Sequence, residues 1–324
     1  MYEIFENARD NQEIFEAYSN LQNYKVLNFD RQGEYCYIFF TSHGLFFPTT
    51  ISEFKKEVVE KDKFEWMNIG SEQKLQEKAA KQIFVRDIYK NFCIEGINAE
   101  FNSHYKVAEK LKMLTQGYKV VTVGSSAGGF MAILFGCLLN AEAIYAFSPQ
   151  ISLEIYNKYH PIRYFDKYRV EQQYMDLKQL INEYKGTLYF FYANACDEDI
   201  AQYEHIADLE NVRFFSINGK VHGAPLYGIS IREVLCMSYC ELDNLFKKYN
   251  KRKISPERFM FATNSPMESI PYICGRMVKK TIRKIKKPED DSNLMNKIFT
   301  KYSSMSAPVK ASLWFVFAVL FSVL

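Results

Sequence analysis

Apolar residues along this chain fall into two kinds of block. One is a short run of β-branched and aromatic residues, the pattern of a strand buried on both faces; the other is a longer stretch apolar at helical spacing. The two kinds meet near the middle of the sequence. Residues 118–123 read Tyr-Lys-Val-Val-Thr-Val, residues 131–139 read Met-Ala-Ile-Leu-Phe-Gly-Cys-Leu-Leu, and a glycine- and serine-rich segment joins them. This predicts a strand, a sharp turn and a buried helix.

The alternation repeats on either side. Residues 3–24 alternate acidic and aromatic positions and predict an amphipathic helix or mixed cap, followed by strands at 25–29 and 34–41 around a turn at 30–33. Strands are expected at 62–69 and 82–86, flanking a helix at 72–81, and a helix at 102–117 stops at Gly117. Further strands are expected at 143–149, 187–193 and 212–217, with helices at 170–184 and 229–250. A tyrosine-rich loop at 150–169 is a candidate for substrate contact, with a surface loop packing its own aromatics as the plainer alternative. Strand and helix in regular succession imply an α/β fold with a mainly parallel sheet covered on both faces.

Composition narrows the class. A chain of 324 residues, 48% apolar and 24% charged, is long enough for one large α/β domain with an appendage, and its net charge of +3 gives no reason to expect nucleic acid. The seven cysteines are scattered, mostly inside apolar runs, with no C-x-x-C pair, which suggests buried thiols in a reducing cytoplasm. Cys236 and Cys240 are spaced to share a helix face and read as core rather than as a metal site. No metal or cofactor is expected. The acidic N-terminus lacks the apolar region of a signal peptide.

Chemistry enters at the central turn. Gly124-Ser125-Ser126-Ala127-Gly128 fits the G-x-S-x-G nucleophile elbow, and the frame selects Ser126 over Ser125. The helix that follows aims free N–H groups at the same point, so the Ala127 N–H is half of an oxyanion site. His43-Gly44, after an early strand, is placed to supply the other half; a simple strand-ending turn is the alternative. A phosphate loop is excluded because Gly128-Gly129-Phe130 stands where Gly-Lys-Ser/Thr would be needed. Two aspartates after the 187–193 strand, Asp197 and Asp199, compete for the acid of a triad, and Asp199 with Gln202 also matches a helix-capping pattern. His222, beside Gly223 after the last predicted strand, is the candidate base; His104, His160 and His205 have no evident partner.

With these residues in view the chain resembles the α/β-hydrolase superfamily over about residues 25–250. More narrowly, Phe84-Val-Arg-Asp-Ile-Tyr-Lys90, Gly124-Ser-Ser-Ala-Gly-Gly129, Phe147-Ser-Pro-Gln150 and His222-Gly223 resemble hydrolase-like proteins of bacterial surface-polysaccharide gene clusters. The resemblance implies a three-layer sandwich and acyl or acetyl ester chemistry on a glycan or small acyl ester. Ser126 would be the nucleophile, His222 the base and Asp197 or Asp199 its orienter. The competing reading is a non-catalytic accessory protein that keeps the scaffold to bind a glycan or membrane partner.

Composition then shifts, giving expected regions of 1–250 for the hydrolase-like domain, 251–294 for a basic extension and 295–324 for an apolar tail. Residues 276–287 are densely basic with apolar residues interleaved, as in a solvated helix or one lying on an anionic membrane surface. The final segment resembles the opening of a polysaccharide flippase. Its apolar run from Ala311 covers 14 residues, whereas a spanning helix needs about 20, so a fusion remnant or short anchor is expected. The expected location is cytoplasmic, with peripheral membrane contact through this tail.

Overall fold

A computed structural model describes residues 10–29, 33–43, 50–160, 172–223 and 225–285. The chain divides into two compact units, Met1–Phe259 and Met260–Leu324.

Eight strands form one sheet in the first unit: β1 (Tyr24–Asn28), β2 (Tyr35–Phe40), β3 (Ala79–Val85), β4 (Lys119–Ser125), β5 (Ala143–Phe147), β6 (Thr187–Ala193), β7 (Val212–Ile217) and β8 (Lys253–Ile254). Their spatial order is β1-β3-β2-β4-β5-β6-β7-β8. Only the β1–β3 pair is antiparallel. This is the expected α/β-hydrolase-like sandwich, and its strand composition follows from burial. Every residue of β5 is buried, as are six of seven in β4, so both faces demand apolar side chains.

The pleat of β2 sorts its residues between the two layers. Cys36, Ile38 and Phe40 join the core beneath helix α3 (Ala127–Leu138), while Tyr37 and Phe39 face the opposite side. There the Tyr37 hydroxyl donates to the Leu235 carbonyl at 3.3 Å, and Phe39 stacks on Phe84 with ring centroids 5.0 Å apart. Across the other half of the sheet, the in-register residues Phe147, Phe191 and Phe215 stack at 4.9 and 4.6 Å. Such cross-strand pairs fix register, because a slip by one residue would send each ring to the wrong face.

Helices α1 (Gln12–Asn20), α2 (His104–Leu114), α4 (Leu153–Tyr159), α5 (Asp197–Ile206), α6 (Gly228–Cys236), α7 (Tyr239–Tyr249) and α8 (Pro256–Thr263) account for most of the remainder, and the division into units falls inside α8. Several expectations need correction. Residues 62–69 form a turn and the short helix Met67–Gly70, not a strand. The first part of the expected 150–169 loop is α4; residues 161–171 lie outside the described residues. The 170–184 helix is two short pieces, Gln172–Met175 and Lys178–Glu183.

The 229–250 helix is likewise two, α6 and α7, because Ser238 and Glu241 close a capping box that starts a new helix. Cys236 and Cys240 therefore sit on different helices. All seven cysteines are free; Cys240 is exposed, and Cys36, Cys93 and Cys274 are buried.

In the second unit, α9 (Pro266–Ile285) begins at a reciprocal cap between Ser265 and Glu268 and runs into the basic stretch. No helix of the described residues is long and apolar enough to cross a membrane. The tail at 295–324 lies outside them.

Two glycines let α3 approach the sheet. A Cβ on Gly124 would stand 2.0 Å from the Gly128 carbonyl oxygen, and one on Gly128 would stand 2.4 Å from that of Phe40. Both obstacles are backbone and cannot rotate away. Gly128→Ala is expected to lower stability by ~1–3 kcal/mol in urea denaturation. Gly228→Ala, where nothing lies within 4 Å, should change it by less than about 0.5 kcal/mol.

Candidate active site

The site is built at the C-terminal ends of β4, β5, β6 and β7, where an open parallel sheet leaves a crevice. Ser126 stands between β4 and α3 with φ 55° and ψ −122°, a strained conformation for a residue with a side chain. Its backbone holds the strain by donating its N–H to the Phe147 carbonyl (2.9 Å) and accepting from the Phe130 N–H (3.1 Å). The hydroxyl is thereby lifted clear of the helix. Ala127, the first residue of α3, has a backbone N–H with no intrahelical acceptor beside it.

Ser126 Oγ lies 2.7 Å from His222 Nε2, and His222 Nδ1 lies 2.6 Å from Asp199 Oδ1. The other oxygen of Asp199 accepts from Ser148 Oγ (2.6 Å) and the Ala193 N–H (2.8 Å), so this fully buried carboxylate has a donor on each oxygen. Burial works against a charged imidazole at His222. The hydrogen bond and charge of Asp199, with the charge of Glu198 behind it, outweigh that penalty, and the pKa is raised above the ordinary imidazole value.

Asp199 and Asp197 are separated by the structure. Cys196 is the N-cap of α5, so Asp199 stands inside the first turn and the expected Asp199–Gln202 cap is not formed. Asp197 is the exposed first residue of α5, and no hydrogen bond joins it to the imidazole; its carbonyl accepts from the Tyr159 hydroxyl. Ser125 has a different use. Its hydroxyl donates to the Gly223 carbonyl at 2.6 Å, tying the elbow to the histidine loop, and Gly223 has the positive φ of 82° that the loop requires.

His43 lies just past β2, whose last residue pairs with Gly124. Its ring packs on Phe92 at 4.8 Å and sits 3.5 Å from Asp87, and burial lowers its pKa. Its carbonyl accepts from Lys90 Nζ at 3.1 Å. Lys90 is buried, which pulls its pKa down to about 6 against the attraction of Asp87. Lys90, Phe92 and Cys93 all have positive φ, so a strained loop braces this segment. Gly44 lies outside the described residues.

Several polar neighbours of His222 carry no local signal in the sequence. Glu198 is buried, accepts from Gln150 Nε2 (2.8 Å), pairs with His160 Nε2 (2.9 Å) and has an oxygen 3.8 Å from His222 Nδ1. His160 and His205 therefore do have partners, the latter being Asp176 at 2.6 Å. Beside the elbow, a cleft of about 550 Å³ is lined by Ser125, Gly223, Phe147, Trp66, Leu226 and Glu65, with Lys25, Lys61 and Lys63 also on its wall. Burial pushes the Glu65 carboxyl up to about 7, although the Ser42 N–H (2.5 Å) and hydroxyl (3.1 Å) donate to it.

The ligand atoms of Cys196, Asp199 and His222 lie within 4.8 Å of one another, a spacing a metal could use. Both nitrogens of His222 and both oxygens of Asp199 are already engaged in hydrogen bonds, so the cluster is better described as a hydrogen-bonded relay than as a metal centre.

No protein-family model and no curated protein sequence matches the chain. Among solved structures it is similar to the capsule O-acetyltransferase of Neisseria meningitidis serogroup A, at 15% identity over 70% of this chain and 93% of that one, TM-score 0.44. It is also similar to acetyl xylan esterase 1 from Thermoanaerobacterium sp. JW/SL YS485, at 11% identity over 70% and 79%, TM-score 0.41. A protein of unknown function from Staphylococcus aureus subsp. aureus Mu50 matches at 10% identity over 69% and 93%, TM-score 0.44. These are likenesses of chain trace; the roles of residues here rest on the geometry above.

The raised His222 pKa has a direct check. In side-chain NMR titration His222 should titrate above pH 6.5, and Asp199→Asn, which removes the charge that favours the imidazolium, should move the midpoint downward.

Proposed function

We propose that the protein is a serine esterase or O-acyltransferase acting on an acyl ester. The observation that carries this is the unbroken line from Ser126 Oγ through both nitrogens of His222 to a buried Asp199. Surface-polysaccharide biosynthesis, with a glycan as substrate, is the setting that the motif resemblance implies. A cytoplasmic location with peripheral contact of the tail at a membrane belongs to the same proposal.

In this reaction Ser126 Oγ attacks the acyl carbon while its proton passes to His222 Nε2. Asp199 keeps the proton on Nδ1 and stabilises the imidazolium, with Glu198 adding negative charge nearby. The developing oxyanion would be stabilised by the N–H groups of Ala127 and of the His43-Gly44 loop. The imidazolium returns its proton to the departing alcohol, leaving an acyl-Ser126 ester. Water or a second alcohol then repeats the steps in reverse. The apolar wall and lysines of the cleft suit an acyl group carried on a polar, partly anionic partner.

Turnover of p-nitrophenyl acetate tests this. Ser126→Ala should lose ~10³-fold or more and Asp199→Asn ~10²–10⁴-fold. Asp197→Asn should stay within about twofold, as a surface change does. Equal rates for the wild type and Ser126→Ala would end the proposal. The rate also depends on pH in a defined sense. The base must be neutral, so kcat/KM should rise with pH along a limb centred above 6.5, and Glu198→Gln should move that limb to lower pH.

A further inference from the structure

One buried polar side chain at the junction of Ser126 and His222 has no part in the steps above. Gln150 follows β5 and is fully buried. Its Oε1 accepts from Gln202 Nε2 at 3.1 Å, and its Nε2 donates to Glu198 Oε1 at 2.8 Å. Gln202 is itself held by backbone, accepting from the N–H groups of Ile151 and Ser152 (2.9 and 3.0 Å) and donating to the Ser152 carbonyl (3.1 Å). Turning the Gln150 amide over would bring two NH₂ groups together and set an oxygen against a carboxylate. Its orientation is therefore determined by its neighbours.

Pinned in this way, Gln150 Nε2 lies 3.2 Å from His222 Nε2, the nitrogen that Ser126 Oγ reaches at 2.7 Å. A neutral imidazole has one lone pair at that atom, so the amide and the hydroxyl share it. Once Ser126 is acylated its oxygen has no proton to donate, and the amide N–H becomes the partner already in place. A water molecule that is to be activated must form its hydrogen bond at the same lone pair.

We propose that Gln150 is a selectivity-determining residue that holds hydrolytic water off His222 and so directs the acyl-enzyme toward an alcohol acceptor. This deepens the serine acyl-transfer reading and rests on it. Water offers only its own hydrogen bonds to displace the amide. An acceptor anchored elsewhere in the cleft adds binding energy, and the 3.2 Å contact is long enough to yield to it. The alcohol oxygen then bonds to the acyl carbon, its proton goes to His222 Nε2, the carbon–Oγ bond breaks and Oγ recovers the proton. Ester product and free serine result, with no further reactant. Gln150 acts through its contact with His222 Nε2 and exchanges no proton or bond itself.

Rapid mixing of the full chain with p-nitrophenyl acetate, with and without glycerol as acceptor, separates acylation from deacylation. The wild type should release close to one equivalent of nitrophenol in a burst, turn over slowly in water and speed up with glycerol while forming acetylglycerol. Gln150→Ala and Gln150→Ser should keep the burst, which shows that the site is folded. Their turnover in water should rise by about five- to ten-fold, the scale of one net hydrogen bond, and the acetylglycerol share should fall.

A retained burst with unchanged partition between water and glycerol overturns the proposal. So does a wild type that hydrolyses Ser126-bound acetate quickly without a burst, although that result leaves the serine esterase reading intact. Failure of both variants to acylate, while the wild type does, assigns Gln150 to building the site and also overturns it. A wild type forming no acetyl-Ser126 removes the parent reading as well.

Discussion

The site depends on a buried negative charge that must be satisfied. Asp199 is enclosed, and an enclosed carboxylate is costly unless donors surround it. Its donors come from the ends of three neighbouring strands: Ser148 after β5, the backbone of Ala193 at the end of β6, and His222 after β7. One carboxylate thus holds together the segments that leave the sheet at its C-terminal edge. The parallel register of β5, β6 and β7 brings those ends level, and the stacked rings of Phe147, Phe191 and Phe215 keep the register.

The serine is presented by a second constraint, close backbone packing. Gly124 and Gly128 allow α3 to rest on β4 and on the end of β2, and the turn between them leaves Ser126 in a conformation that its own hydrogen bonds must sustain. Ser125 ties that turn to Gly223, so the elbow and the histidine loop are joined by a direct hydrogen bond. The strain is stored at the residue whose hydroxyl meets His222. Beneath the other lip, Lys90 and Asp87 brace the segment after β2 in the same manner, with polar groups holding irregular backbone.

Much of this was legible in the sequence because the decisive elements carry strong local signals. The β4 run, the glycine-bracketed serine and the apolar helix after it agree at every level, as do the strands β6 and β7, which match their expected limits. Elsewhere the local pattern was ambiguous. Phe64 and Trp66 alternate with polar residues as in a strand, yet they bury their rings from a turn, where the Trp66 indole N–H donates to the Phe40 carbonyl. The break between α6 and α7 was signalled by Ser238-Tyr-Cys-Glu241, a capping box inside a continuous helical period. A strand as short as β8 has no pattern to detect.

The choice between Asp197 and Asp199, and the places of Glu198 and Gln150, lay beyond sequence reading for a physical reason. Asp197, Glu198 and Asp199 are three consecutive carboxylates, and only the start of α5 at Asp197 determines which face each takes. One turns to solvent, one to His222, and Glu198 to Gln150 and His160. In the proposed reaction this arrangement makes Ser126 a nucleophile. Intact-mass measurement and peptide mapping after exposure to a fluorophosphonate probe test it most directly. The account predicts a single adduct, on Ser126, that is lost in His222→Ala; an unlabelled Ser126 in the folded wild type would contradict it.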